Sequence, residues 1–173
     1  KLSISDVDSP ETFIAQQNAA GVYGALSIDT AGTWTYVSKD ALDWISEGKS
    51  VTDSFTVASA DGTTTTVLVT INGTNDPAIL VPVSVSLDET NEPLKPTGKL
   101  SIKDVDSPET FVAQSKVSGK NGSFSLETSG QWSYVANSAF DELNVGRSVS
   151  DSFTVASADG TTTTVQVTIN GTN

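Results

Sequence analysis

Asp6-Val7-Asp8-Ser9-Pro10-Glu11 places three carboxylates within six residues, and the same string returns as Asp104-Val105-Asp106-Ser107-Pro108-Glu109. Each follows directly on a short apolar run, Leu2 to Ile4 or Leu100 to Ile102. Side chains at i and i+2 of an extended segment point the same way. Asp104 and Asp106, like Asp6 and Asp8, can therefore aim two carboxylates at one point. Two such groups held together repel, and one must take up a proton unless a cation sits between them. The hard-oxygen ion that accepts 6–8 loosely arranged ligands is Ca2+. A second string, Asn72-Gly73-Thr74-Asn75-Asp76-Pro77, offers an amide oxygen, a carboxylate and free carbonyls. Pro77 removes a donor and stiffens the link. Asp61 and Asp159, each in an Ala-Asp-Gly turn, add one carboxylate apiece.

Each string also has a purely structural use, because Asp bonding its own backbone makes a turn. Their convergence depends on the elements that carry them. Lys1 to Asn75 repeats as Lys99 to Asn173 at a constant offset of 98, with 49 of 75 positions identical. The chain is thus two copies of one module of a size normal for a small β-sandwich. The expected domains are 1–75 and 76–173. Residues 76–98 precede the second copy and have no counterpart in the first. Ile79 to Leu87 alternates apolar and small polar residues and predicts an opening strand. The first module is therefore expected to lack that strand and to carry an open edge. Residues outside these 173, or a neighbouring chain, would complete it.

The fold expected is all-β: two tandem Greek-key sandwiches. Leu26 to Ile28 and Trp34 to Val37 read as a hairpin around Asp29-Thr30-Ala31-Gly32. Phe55, Val57 and Ser59 share one strand face, and Val67, Val69 and Ile71 another. Only Asp40 to Gly48 reads as helical, for a turn or two. Differences between the copies point to surface positions: Leu68 becomes Gln166, Trp44 becomes Glu142 and Tyr23 becomes Asn121. Trp34/Trp132, Tyr36/Tyr134 and Phe55/Phe153 keep their identity, as core anchors would. In a Greek-key sandwich the loop after the second strand and the turn before the last lie at one end. Asn75, Asp76, Asp104, Asp106 and Asp159 would meet there.

Composition sets limits on chemistry. There are 21 acidic against 9 basic residues, a net charge of -12 and no His, Cys or Met. Nucleic acids and anionic membranes select the opposite charge. Disulfides, Cys/His zinc sites and histidine catalysis are excluded. Glycoside hydrolysis needs two carboxylates roughly 5–10 Å apart across a cleft, and Asp6 and Asp8 are too close for that. No enzyme activity is expected.

Phe-Thr-Val-Ala-Ser-Ala-Asp-Gly followed by Val-x-Val-Thr-Ile-Asn-Gly-Thr-Asn-Asp resembles the VCBS-type repeats of very large bacterial surface proteins. The likeness covers nearly the whole chain. It implies tandem repeats of secreted RTX-type adhesins, exported by type I secretion, located at the cell surface and serving attachment and biofilm formation. More distantly, the layout is similar to cadherin repeats. That likeness implies calcium ligands at Asn75-Asp76, at Asp104 and Asp106, and at Asp159. It also implies ligands at Asp43 of Leu42-Asp43, where Ile45 stands in place of the usual Glu and Glu47 lies two residues on. Asp88-Glu89 would bind ion at the far end of the second module. Glu109, with Asp6, Asp8 and Asp61 of the first copy, completes the candidate set. The reading that follows is a spacer stiffened by Ca2+, whose partners are neighbouring repeats of the same polypeptide. A carbohydrate- or protein-binding module, resting on the exposed aromatics Tyr23 and Trp44, is the alternative.

Overall fold

The computed structural model describes residues 1–172. The chain divides into two compact units, Lys1–Asn75 and Asp76–Asn173, and each is described by itself. All regular structure among the described residues is β.

In unit 1, β1 (Gln16–Ala20), β2 (Gly24–Ile28) and β3 (Trp34–Ser38) form one antiparallel sheet. β4 (Ser50–Ala58) and β5 (Thr64–Asn72) form a second, paired over nine residues from Ser50↔Asn72 to Ala58↔Thr64. The hairpin expected at Leu26–Val37 is present as β2/β3, with Leu26 opposite Tyr36 and Ile28 opposite Trp34. Alternation puts Phe55, Val57 and Val67 inward, where they meet Leu26 and Ile28 from the first sheet and Phe13 from the segment before β1.

Unit 2 opens with β6 (Ile79–Leu80), β7 (Val83–Asp88), β8 (Thr97–Lys99) and β9 (Ile102–Lys103). β10 (Gln114–Ser118), β11 (Gly122–Leu126), β12 (Gln131–Ala136), β13 (Ser148–Ala156) and β14 (Thr162–Asn170) repeat β1 to β5. One sheet runs β10-β11-β12-β8 and the other β13-β14-β7, with β6 pairing β9 alone. Phe124 of the first sheet stacks on Phe153 of the second at 4.8 Å between ring centroids. Twelve buried side chains join across this interface, Tyr134, Trp132 and Ile169 among them.

The expected surface positions come out unevenly. Leu68 and Trp44 are 64% and 51% exposed, as the substitutions between copies imply. Asn121 is not at the surface. It is buried, and its side-chain amide donates to Asp151 Oδ1 and to the Ser150 carbonyl, each at 3.1 Å. A polar group can replace Tyr23 there because both donors are satisfied. The expected helix at Asp40 to Gly48 is also absent. That stretch is two consecutive turns, closed by Ile45 N–H to the Leu42 carbonyl and Lys49 N–H to the Ser46 carbonyl. Leu42 and Gly48 stand at φ +60° and +75°, a left-handed backbone that no right-handed helix passes through.

Candidate metal centre

The carboxylates of unit 2 are positioned by a short strand pair. β6 pairs with β9, Ile79 opposite Lys103 and Leu80 opposite Ile102. This lays Asp76-Pro77-Ala78 beside the loop that leaves β9. In that loop Asp104 Oδ1 accepts from the backbone N–H of Asp106 at 3.1 Å and of Ser107 at 2.8 Å. One oxygen therefore does the ordinary work of an Asp turn. The other, Oδ2, is buried and has no hydrogen-bond partner. Asp106 Oδ2 accepts from Asp76 N–H at 3.4 Å, and Asp159 Oδ2 accepts from Ala78 N–H at 3.0 Å. Asp76, Asp104, Asp106 and Asp159 thus gather at the end of unit 2 where β14 begins.

Two of these carboxyls are pushed in opposite directions. Asp106 titrates above its ordinary value. Loss of solvation is the main cause, and the neighbouring carboxylates of Asp104 and Asp76 add to it, against the lowering bond from Asp76 N–H. Asp159 also loses solvation, but donors outweigh that: Ser157 Oγ, Thr161 N–H, Thr161 Oγ1 and Ala78 N–H. It is held far below the usual carboxylate range. Among the described residues no three carboxylates already converge as a ready-made ligand group. An ion would have to draw these side chains inward.

The other candidate residues fall elsewhere. Glu109 Oε1 lies 3.5 Å from Lys103 Nζ as an exposed ion pair. Asp88 and Glu89 stand at the opposite end of unit 2. There Asp88 accepts from Asn170 Nδ2 at 3.3 Å, and buried Glu89 accepts from Thr172 N–H at 3.1 Å and from Thr172 Oγ1. In unit 1, Asp6 repeats the Asp104 turn, accepting from Asp8 N–H at 3.0 Å and Ser9 N–H at 2.8 Å. These two bonds hold Asp6 below its ordinary value, and the charge of Asp61 acts on it the other way. Asp6, Asp8 and Asp61 therefore form the unit 1 counterpart of Asp104, Asp106 and Asp159. Asp43 and Glu47 are exposed on a loop whose Ile45 and Ser46 carbonyls crowd Gly73, at the other end of β5. Asn75 is the exposed last residue of unit 1.

The sequence reading missed Asp53 and Asp151. Both are buried. Asp53 accepts from Val22, Tyr23 and Gly24 N–H and from the Tyr36 hydroxyl at 2.8 Å. Asp151 accepts from Lys120 and Asn121 N–H and from the Tyr134 hydroxyl at 2.9 Å. The signal was available: Asp53 is in phase with Phe55 and Val57, so alternation alone points it inward. These carboxylates are saturated by donors and act as internal struts.

A family match covers residues 75–171, described as the bacterial cadherin-like domain. Solved structures resemble the chain more loosely. Extracellular cadherin domains 1-4 of protocadherin gamma B7 align at 14% identity and a TM-score of 0.42, covering 92% of this chain and 41% of that one. Domains EC1-3 of mouse clustered PcdhgC3 align at 15% and 0.45, covering 94% and 56%. This chain therefore spans between about two fifths and just over half of those structures. No curated protein matches it. Since the family match takes in more than half of the residues, the chain belongs to the bacterial cadherin-like domain family.

Proposed function

We propose that this chain is a pair of extender repeats from a large secreted bacterial surface adhesin, stiffened by Ca2+. Bacterial cadherin-like domains are generally extracellular, and cadherin-like domains commonly bind Ca2+. The observation that supports the reading best is the bare, buried Oδ2 of Asp104 beside Asp106, whose carboxyl is pushed upward by lost solvation and then by the neighbouring carboxylates. A buried carboxylate oxygen without a donor is costly, and a divalent ion removes that cost. Asp104, Asp106, Asp76 and Asp159 would supply carboxylate oxygen. Asp6, Asp8 and Asp61 would serve the preceding junction, and Asp88 and Glu89 the following one. VCBS-type repetition and a role in attachment and biofilm formation belong to this proposal, on the strength of the tandem copies, identical at 49 of 75 positions.

Calorimetric titration of the whole chain with CaCl2 tests it. Saturable binding that is lost in Asp104→Asn/Asp106→Asn, with a longer maximum dimension by small-angle scattering in calcium than in chelator, is the expected result. Binding that survives the double substitution would refute the site. Scattering curves that do not change would refute the stiffening.

A second reading has one observation in its favour. Tyr23 and Trp44 lie 6.1 Å apart between ring centroids on unit 1, with Trp44 half exposed. Such a pair can stack on a sugar face. Both residues are absent from unit 2 (Asn121 and Glu142), so a glycan array with Trp44→Ala as control separates this role from that of a spacer.

A further inference from the structure

Tension along the chain enters unit 2 through its early strand β7 and its last strand β14. These two lie side by side and parallel over six residue pairs, from Val83↔Val165 to Asp88↔Asn170. Pulling the two ends of the unit apart draws β7 toward its N-terminus and β14 toward its C-terminus. The force then runs along both strands, and the evenly spaced bonds of a parallel ladder share it. An antiparallel pair at the same place would be pulled at one end and would open bond by bond. β6, which precedes β7, is held to β9 by only two residue pairs and cannot take that role.

Shear by itself does not stop a strand. A slide of two residues returns every side chain to its own face and lets the backbone pair again. Unit 2 blocks this slide at the end where the C-terminal pull arrives. Asn170 Nδ2 donates to Ser86 Oγ at 3.0 Å and to Asp88 Oδ1 at 3.3 Å. Glu89 N–H donates to the Asn170 carbonyl at 2.8 Å, and Thr172 N–H donates to buried Glu89 at 3.1 Å. A slide breaks all four together. On the inner face Val83 and Val85 pack against the cluster that holds Val165, Val167 and Ile169, so a slide also drags them across the core. β14 cannot follow β7, because β13 holds it along its other side from Ser148↔Asn170 to Ala156↔Thr162.

We infer that the β7/β14 pair is a mechanical clamp, which holds unit 2 against tension along the chain until its ladder breaks as a whole. Ser86, Asp88, Glu89, Asn170 and Thr172 are the stop against sliding. The use of such a clamp rests on the proposed role as an extender, which transmits tension between an anchor and an attachment point. The clamp itself needs no calcium. It is tested in chelator, so that its failure and the failure of metal binding are read separately.

The chain has no cysteine, so paired handles attach only where they are placed. One form of the whole chain carries Val81→Cys, exposed just before β7, and a cysteine added after the last residue. Pulling between these handles in an optical trap loads the ladder in shear. A second form carries Asn91→Cys, exposed just beyond β7, with the same added cysteine. Pulling there opens the ladder from its Asp88–Asn170 end. Unit 1 is outside the force path in both. Forced unfolding reads the barrier along the pulled path and not equilibrium stability, so two handle pairs on one fold separate a clamp from a merely stable domain. The first form should rupture at a several-fold higher force than the second at the same loading rate. Asn170→Ala keeps the backbone ladder and should lower the first force by roughly a fifth or more, since it removes two of the bonds of the stop. Equal rupture forces in the two geometries would overturn the clamp, as would release of β7 at low force ahead of the rest of unit 2. A first force that Asn170→Ala leaves unchanged would overturn the stop.

Discussion

Replacing Asp151 by Asn isolates the energetics of the buried strut in unit 2. The carboxylate accepts from Lys120 N–H at 3.0 Å, Asn121 N–H at 2.9 Å, Asn121 Nδ2 at 3.1 Å and the Tyr134 hydroxyl at 2.9 Å. An amide offers one acceptor oxygen, and its NH2 group turns toward donors that need an acceptor. About two of the four bonds are lost, and their donors stay buried because Tyr134 is 1% exposed and Asn121 7%. Each orphaned donor costs about 1–3 kcal/mol, and removing the charge returns part of that as lost desolvation. The expected net loss is about 3 kcal/mol. At roughly 4–8 °C per kcal/mol for a domain of this size, the unit 2 transition should fall by about 12–24 °C. Tyr134→Phe removes a single donor and should cost about 1.5 kcal/mol. The double variant should cost less than the sum, because the amide no longer faces a hydroxyl. Differential scanning calorimetry reads all three, since the unit 1 transition serves as an internal reference. An Asp151→Asn change within about 0.5 kcal/mol of the parent, or additive single costs, would refute the account of a carboxylate held by four donors.

Three further outcomes follow from the same geometry. Asp106 has a raised folded pKa, so its contribution is complete below the unfolded value and is lost as pH rises through the folded one. At neutral pH its charge is therefore a burden without a cation; Asp106→Asn should raise the melting temperature in chelator by a few degrees and abolish the further rise on adding CaCl2, both read by thermal denaturation. Asp53, Asp61 and Asp159 have lowered folded values, so their stabilisation is present above the ordinary 3.8 and is lost as pH falls through those values. Tyr36 is raised to about 12, mainly by burial and then by Asp53, so its share is complete below about 10 and is lost as pH climbs through 12; urea midpoints should form a plateau between these limits. Gly119→Ala would set a Cβ 2.4 Å from Asp151 Oδ2, and a loss of about 2 kcal/mol or more is expected by chemical denaturation.

The sequence by itself determined the repeat, the all-β class, the β2/β3 hairpin and the strand faces, because each follows from a local period or from comparing the two copies. Leu68 and Trp44 were legible as exposed for the second reason. Asn121 was not: a substitution marks a tolerant position, and only the surrounding donors and acceptors show whether tolerance comes from solvent or from a satisfied buried amide. The turns at Asp40 to Gly48 escaped because left-handed Leu42 has no sequence signature. The Asp-x-Asp spacing announced the candidate metal residues and left their division of labour undecided. Tertiary structure decided it by laying Asp76-Pro77-Ala78 beside the loop that leaves β9, so that Ala78 N–H joins the local donors of Asp159 while Asp104 keeps one oxygen bare. It also decided that Glu109 turns to Lys103 and that Asp88 and Glu89 stand at the far end of β7. Position along a chain fixes which groups are available. Which of them lose water, and which find a donor in exchange, depends on what the fold stacks beside them.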